Sequence, residues 1–409
     1  MISKNFYGWK IVGAGALINF FSIGIPIYAF SIFKIYLEEE FDVQRVLLGA
    51  TISILIIAGG FFAPICGYLV DKFSIKKILS VGSILYGLSL IILGLCQTYF
   101  QFIIVYATIL SFSISLFGNL TTAKLISSWF KKNIGSALGY AALGVSLSGV
   151  IIPYIATFLI EMFDWRFTYM IFGLFIIFFF LPFCRSFIID KPSDLNQNID
   201  GIETLIDNPE QIDIKVMDFL SIIKVPTFWI LILIFSLQFC ANLGVYNELG
   251  FYTIGLGFDK DKATIAISVG ALGAAMGKIV FGKLIDIFSA KTTLRVSIIM
   301  QGFGILLVIY ASNFIPLLFS ILFMSIGLGG TLPLMNILFS KTFSSVNLGK
   351  ALGIAVPFMV PIQVIGGPLS GWLFDKFGNY DLAFSIMVGV CFIAFLVVFM
   401  LNIPSDKHI

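Results

Sequence analysis

Histidine is almost missing from this chain, charge is sparse and cysteine is unpaired. The one histidine, His408, lies beside the C-terminus, so no Ser/His or Cys/His constellation exists for nucleophilic catalysis. No glycine-rich phosphate loop followed by Lys-Ser/Thr occurs, which argues against nucleotide hydrolysis as an energy source. Cys66, Cys96, Cys184, Cys240 and Cys391 are scattered through apolar segments with no paired spacing. They read as small buried hydrophobes, not as a disulfide framework or metal site. An enzyme would need acid–base or metal residues grouped at one depth, so the expectation is no enzyme and no cofactor. Charged residues make up 11% of the chain, against about 25% in a soluble domain.

Hydrophobic residues fill the space, at 59% of the sequence, with a mean hydropathy of +1.04. Twelve apolar runs are each long enough to cross a bilayer as a helix. They cover 11–33, 46–70, 78–96, 101–127, 135–160, 166–189, 228–255, 264–286, 293–311, 315–340, 350–373 and 381–403. They lack the period-2 alternation of an outer-membrane barrel, and only helices and closed barrels satisfy the backbone in lipid. The first run is too long for a signal-peptide core. All five tryptophans fall at predicted helix ends, where indole prefers the headgroup level. The phenylalanines read as lipid-facing bulk. The fold expected is all-α: a membrane protein with twelve transmembrane helices in two six-helix pseudo-symmetric bundles.

Charge placement orients the chain. Of 25 basic residues, Lys34, Arg45, Arg166, Lys260, Lys262 and Lys376 fall in loops on one side, and Lys124 and Lys278 lie within helices. The other 17 fall on the side of the termini. By the positive-inside rule that side is the cytoplasm. The net charge of +3 therefore reports topology, not a nucleic-acid partner. The chain divides into a bundle over 1–189, an acidic linker over 190–224 and a second bundle over 225–409. The linker carries eight acids against three lysines: Asp190, Asp194, Asp200, Glu203, Asp207, Glu210, Asp213 and Asp218. Its acidity reads as solvation, with a short amphipathic helix near 212–223.

A repeated phrase ties the two bundles together. Gly67-Tyr-Leu-Val-Asp71-Lys72-Phe-Ser-Ile-Lys76-Lys77 returns 215 residues later as Gly282-Lys283-Leu-Ile-Asp286-Ile-Phe-Ser-Ala-Lys291. Gly135 and Gly139 match Gly349 and Gly353, and Pro153 matches Pro368. The phrase echoes again at Gly371-Trp-Leu-Phe-Asp375-Lys376-Phe-Gly378, and Thr157 with Glu161 holds the same place after helix 5. Each half thus reads as two three-helix units. The glycines permit close helix approach. Asp71, just past a helix end, can face a neighbouring helix N-terminus and its partial positive charge. Lys72, Lys76 and Lys77 hold the loop in the cytoplasm. Gly67, Asp71, Lys72, Gly282, Asp286, Gly371 and Asp375 are accordingly gating candidates; the plainer alternative is a static topology anchor. Glycines and prolines cluster in helices 5 and 11, which suits a rocking interface between paired helices.

These motifs carry a resemblance. Over nearly its whole length the chain resembles the major facilitator superfamily, whose loop 2–3 signature is similar to Gly67–Lys77. Tyr7-Gly8-Trp9-Lys10, the run Ser128-Trp129-Phe130-Lys131-Lys132-Asn133-Ile134-Gly135, and Asp164-Trp165-Arg166 are similar to its monocarboxylate and oxalate:formate branch. That branch usually has arginine where this chain has Asn133. The resemblance implies a central cavity, alternating access and a small organic anion, moved with a proton or exchanged for another anion. It also implies a substrate-binding cation in helix 8, four residues before the phrase's glycine. Here that residue is Lys278.

A charged group at mid-membrane costs about 2.5–3.5 kcal/mol on insertion scales, so each one is informative. Lys278 shares a small-residue stripe with Ala274 and Gly282. Its plainer reading is snorkelling toward the cytoplasm. The branch often has an aspartate where Ala274 stands. No Lys or Arg lies between Leu352 and Asp375, which argues against a doubly charged substrate. Glu248, on a face shared with Gly244, reads as the only acid well inside helix 7 and as a coupling candidate. Lys124 reads as a snorkelling lysine. Tyr28, Asn119 and Asn336 are candidate substrate contacts, with Asn19, Thr122, Asn242 and Gln363 as further cavity polar groups. The leading reading is a secondary transporter of small organic anions in the cytoplasmic membrane, working as a monomer with both termini inside. An exporter of neutral or cationic compounds is the alternative.

Overall fold

The structure is a computed structural model that describes residues 6–43, 45–201 and 217–401. Among the described residues there is no strand. Eleven helical stretches are long and apolar enough to cross a membrane. One of them, Phe314–Phe377, has 64 residues, about 96 Å at ~1.5 Å per residue, too long for one crossing. It breaks at Ser344, which sits at φ 60°. Counting its two arms gives twelve helices long and apolar enough to cross a membrane among the described residues. They are α1 (Gly8–Phe41), α2 (Arg45–Lys72), α3 (Ile75–Leu95), α4 (Tyr99–Trp129), α5 (Ile134–Met162) and α6 (Trp165–Phe187). After the linker come α7 (Pro226–Tyr246), α8 (Lys260–Ile287), α9 (Ala290–Ile309), α10 (314–343), α11 (345–377) and α12 (Asp381–Phe399). The expected bundle of twelve apolar helices is therefore present. The middle of the acidic linker, 202–216, lies outside the described residues, as does His408. Of the helix expected near 212–223, residues 217–223 are described, and Phe219–Ile223 is helical.

The chain packs as two compact units. The first is Met1–Lys132, Tyr140–Met217 and Phe343–Pro357; the second is Asn133–Gly139, Asp218–Thr342 and Phe358–Ile409. Each unit therefore borrows a short segment from the other half of the sequence.

Local chemistry explains the ends and the breaks. Ser74 and Ser289, both inside the repeated phrase, cap the helices that follow, accepting from the Lys77 and Thr292 amides. Asp164 of the Asp-Trp-Arg motif caps α6, accepting from the Phe167 amide at 2.7 Å. Such caps supply one of the four orphan N–H partners a helix start needs. Pro26 removes a donor from α1, which widens into a π turn over Gly24–Ala29. The carbonyls near the break are taken by two buried tyrosines. Tyr86 Oη donates to the Phe21 carbonyl at 2.9 Å, and Tyr106 Oη donates to the Pro26 carbonyl. Glycines set the closest helix approaches: a Cβ on Gly87 of α3 would lie 2.5 Å from the Gly173 carbonyl of α6. Small residues let membrane helices come together in this way.

Candidate substrate site and gate

In the first unit, the end of α2 is fastened to the start of α11. Asp71 accepts from the Gly349 amide at 3.2 Å and the Lys350 amide at 2.7 Å. Lys124 of α4 reaches the same carboxylate at 2.7 Å and donates to the Val346 carbonyl. Both side chains are buried, 11% exposed for Lys124 and 8% for Asp71. Gly67 has the Gly349 carbonyl where its Cβ would be, and a Cβ on Gly353 would meet the Ala63 carbonyl. Glycine on both sides brings the α11 amides within reach of Asp71, where the helix dipole favours an anion.

The second unit repeats the arrangement with the halves exchanged. Asp286 at the end of α8 accepts from the Gly135 and Ser136 amides, each at 2.8 Å, and from Ser136 Oγ at 2.5 Å. Gly135 and Ser136 of α5 are the sequence counterparts of Gly349 and Lys350. Gly282 lies against the Gly135 carbonyl and the Gly139 Cα. Charged hydrogen bonds of this kind contribute about 1.5–3 kcal/mol each. The two clasps are pseudo-symmetric, as the repeat suggested, but they differ in their additional groups: Lys124 in one, Ser136 Oγ in the other.

Lys124 does not snorkel. It is committed to Asp71, a role the sequence reading missed. The available signal was its charge: it lies buried in an apolar helix of the same half as Asp71.

Lys278 is buried in α8, two turns before Asp286. Its backbone carbonyl lies 2.5 Å from the position a Cβ on Gly139 would take. The helix that carries this lysine is thus packed backbone to backbone with the helix that carries Gly135 and Ser136. Asn336, the other candidate in this unit, is buried in α10.

Tyr28 and Asn119 fall in the first unit. Tyr28 sits in the π turn of α1, its ring 3.2 Å from where a Cβ on Gly149 would be. Asn119 restarts α4 after a break at Phe117 and Gly118, and its carbonyl accepts from Thr122 Oγ1 at 3.2 Å. Asn19 donates to the Ala141 carbonyl and accepts from Thr122 Oγ1, each at 3.2 Å. This threads α1, α4 and α5 on one polar chain.

Glu248 is not inside a helix. The run expected over 228–255 breaks at Asn247 and Glu248, and a short helix, Leu249–Gly255, follows. Glu248 accepts from Tyr380 Oη at 2.8 Å. Burial first, and then the Glu248 carboxylate, push the Tyr380 phenol well above the usual tyrosine range, so its proton stays on to donate.

The third copy of the phrase behaves differently. A Cβ on Gly371 would meet nothing within 4 Å, and Asp375 is exposed. Lys376 lies over the Trp372 ring at 5.2 Å, much as exposed Lys72 lies over Tyr68 at 5.3 Å. The clasp geometry is found at Asp71 and Asp286 and not at Asp375.

A family model for the Major Facilitator Superfamily matches residues 12–271 and again 251–408. The chain belongs to the Major Facilitator Superfamily. It is therefore a multi-pass membrane transporter with a secondary-transporter fold, and not an enzyme. MFS-type transporter pynF of Aspergillus niger is 29% identical over 202 residues, which are 47% of this chain and 44% of that protein. The chain thus spans less than half the length of that relative. An agnestins efflux protein of Paecilomyces divaricatus is 23% identical over 376 residues, 90% of this chain and 81% of its own. In fold, a double-tryptophan mutant of the facilitator XylE superposes with a TM-score of 0.77 at 16% identity, covering 97% of this chain and 96% of that one. These names reach the superfamily and efflux; the monocarboxylate and oxalate:formate branch rests on the short motifs alone.

Proposed function

We propose that this protein moves small organic anions, monocarboxylates first, across the cytoplasmic membrane by alternating access. The observation that carries the reading is Lys278, a cation buried in α8 two turns from the Asp286 clasp. A cation kept inside a membrane bundle is a functional-site hypothesis by default. Lysine offers a point charge where arginine would offer a fork, which suits one carboxylate. Lys278 supplies the substrate's counter-charge, and Tyr28, Asn119 and Asn336 contribute polar contacts. Residues 1–189 and 225–409 act as two six-helix halves joined by the linker, in a monomer with both termini in the cytoplasm.

The Asp71 and Asp286 clasps are the gate on the cytoplasmic side: they hold in one state and release in the other. Gly371 and Asp375 have no such clasp, which fits a phrase on the opposite stroke. Transport runs by proton symport or anion exchange. Glu248 is the coupling candidate, because protonation would remove the charge that accepts from Tyr380.

The test is uptake into proteoliposomes from a panel of labelled acids, with and without a pH gradient. Wild type is expected to accumulate monocarboxylates. Lys278→Gln is expected to lose at least tenfold in rate, and Lys278→Arg to retain part of it. Glu248→Gln is expected to blunt the response to the gradient while leaving exchange. Wild-type monocarboxylate uptake by Lys278→Gln would remove the anion reading. A second reading, export of neutral or cationic compounds, is favoured by the agnestins efflux relative. It requires that Lys278→Ala still transports.

A further inference from the structure

An acidic linker reads as solvated in sequence. Its described part is instead bonded to the gate loops of the first unit. After α6 the chain runs through turns at Pro192–Leu195 and Ile199–Gly201. Asp190 Oδ1 accepts from the Lys76 amide at 2.8 Å, in the first turn of α3 and five residues past Asp71. Its carbonyl accepts from Ser128 Oγ at 2.8 Å. The Ile189 carbonyl accepts from Trp129 Nε1 at 3.0 Å. Asp200 is buried, and its Oδ2 accepts from the Lys131 and Lys132 amides at 3.0 and 2.7 Å. Lys132 is followed within four residues by Gly135 and Ser136, the amides that Asp286 holds.

The far end of the linker is tied as well. The Met217 amide donates to Asn347 Oδ1 at 2.9 Å, and the Met217 carbonyl accepts from Lys350 Nζ at 2.8 Å. Lys350 is the residue whose own amide binds Asp71. Both ends of the linker therefore close on elements that carry clasp residues.

The backbone bends to make this possible. Asp200 adopts φ 58° and Gly201 φ 66°, the left-handed region that disfavours most side chains. Aspartate tolerates it better than most residues. The strained bend delivers one carboxylate oxygen to two adjacent amides, which surface solvation of an acid would not require.

We propose that Asp190 and Asp200 are positioning residues for transport, and that the described ends of the linker, 190–201 and 217–224, hold the clasp-bearing loops in register so that Asp71 and Asp286 can engage. This rests on the clasps being a gate. The linker acts through the loops and touches no substrate. Its two ends set how readily the clasp re-forms after each cycle.

The experiment uses the full chain with spin labels at Lys72→Cys and Ser345→Cys, on either side of the Asp71 clasp. Asp200→Gly removes the carboxylate and relieves the left-handed bend, so backbone strain cannot account for its effect. Asp200→Asn keeps an acceptor oxygen and serves as the rescue. Asp200→Gly combined with Asp190→Ala is expected to move the ratio of clasped to open distances at least tenfold, with uptake reduced to match. Asp200→Asn is expected to resemble wild type. Asn347→Ala tests the other end and is expected to shift the ratio in the same direction. A fall in thermal stability with no change in the distance ratio would assign the strap a structural role and overturn the proposal. Asp71→Asn on the same labels separates the two ideas. If it opens the clasp and the strap variants do not, the strap reading fails alone. If it leaves the distances unchanged, the gate reading fails and the strap reading falls with it.

Discussion

Asp71→Asn should open its clasp, for a reason that lies less in Asp71 than in Lys124. The carboxylate accepts two α11 amides and the Lys124 ammonium. Asparagine keeps one acceptor oxygen, which can still serve the nearer amide, that of Lys350 at 2.7 Å. What it cannot do is neutralise a lysine whose side chain is 11% exposed. Removing one partner of a buried pair costs about 3–5 kcal/mol, because the other charge is stranded. At about 1.4 kcal/mol per tenfold, that is roughly a 100- to 5000-fold loss in the clasped state relative to the open one.

Spin-label distances between Lys72→Cys and Ser345→Cys read that equilibrium directly. All five native cysteines are buried, so the label meets the engineered pair first. Wild type should give a dominant short distance and Asp71→Asn a dominant longer one. The decisive arm is the double variant Asp71→Asn/Lys124→Met. It removes the stranded charge along with its partner, and a buried pair replaced by apolar bulk is often neutral. Most of the short distance should return. An unchanged distribution in Asp71→Asn, or a double variant as open as the single, would refute the argument that charge burial drives the effect.

Two further outcomes follow from the packing. Gly139→Ala would put a Cβ 2.5 Å from the Lys278 carbonyl, so the two backbones must separate there; proteoliposome uptake should fall at least tenfold. Tyr86→Phe would strip the hydroxyl from the Phe21 carbonyl beside the α1 π turn; that carbonyl still accepts from the Gly24 amide, so the loss is one net hydrogen bond, about 0.5–1.5 kcal/mol, read as a lower midpoint in detergent thermal melts.

The helices were legible because lipid leaves the backbone few options. An apolar run of about 20 residues has to be helical, and the observed elements follow the expected runs. Departures occur where a local event intervened. α1 continues to Phe41, past the expected 33, because the more polar stretch Lys34–Glu40 stays helical beyond the apolar run. The run over 228–255 stops early at Asn247 and Glu248. The Asp71 bond to a helix N-terminus was readable from the phrase itself, since a carboxylate beside a glycine-lined helix end has few other uses. The Lys124 partnership and the Asp190 and Asp200 caps were not. Each joins residues more than fifty positions apart, and an acid in a polar stretch looks alike in sequence whether it is solvated or bound to two amides. The phrase at 371–378 shows the complementary case: the letters repeat, but a Cβ on Gly371 would meet nothing within 4 Å, so the letters alone do not specify a clasp.

The asymmetry between the two clasped joints bears on how substrate and gate communicate. In the first unit the residue four before the phrase's glycine is Ala63, whose carbonyl meets Gly353. In the second unit it is Lys278, whose carbonyl meets Gly139. The backbone joint is the same, and only one copy carries charge. Lys278 and Asp286 ride on one continuous helix, about 12 Å apart at ~1.5 Å per residue. An anion that neutralises Lys278 changes the cost of burying that stretch of α8, and a helix transmits displacement along its axis with little loss. If Lys278 binds the substrate as proposed, the Asp286 bonds to Gly135 and Ser136 feel it along α8, whereas α2 carries no such residue two turns before Asp71. Substrate should therefore shift the Asp286 clasp first. With spin labels at Asn133→Cys and Lys283→Cys, added monocarboxylate should move the distance distribution in wild type and leave it unmoved in Lys278→Gln. An equal response in both proteins would uncouple the lysine from the gate.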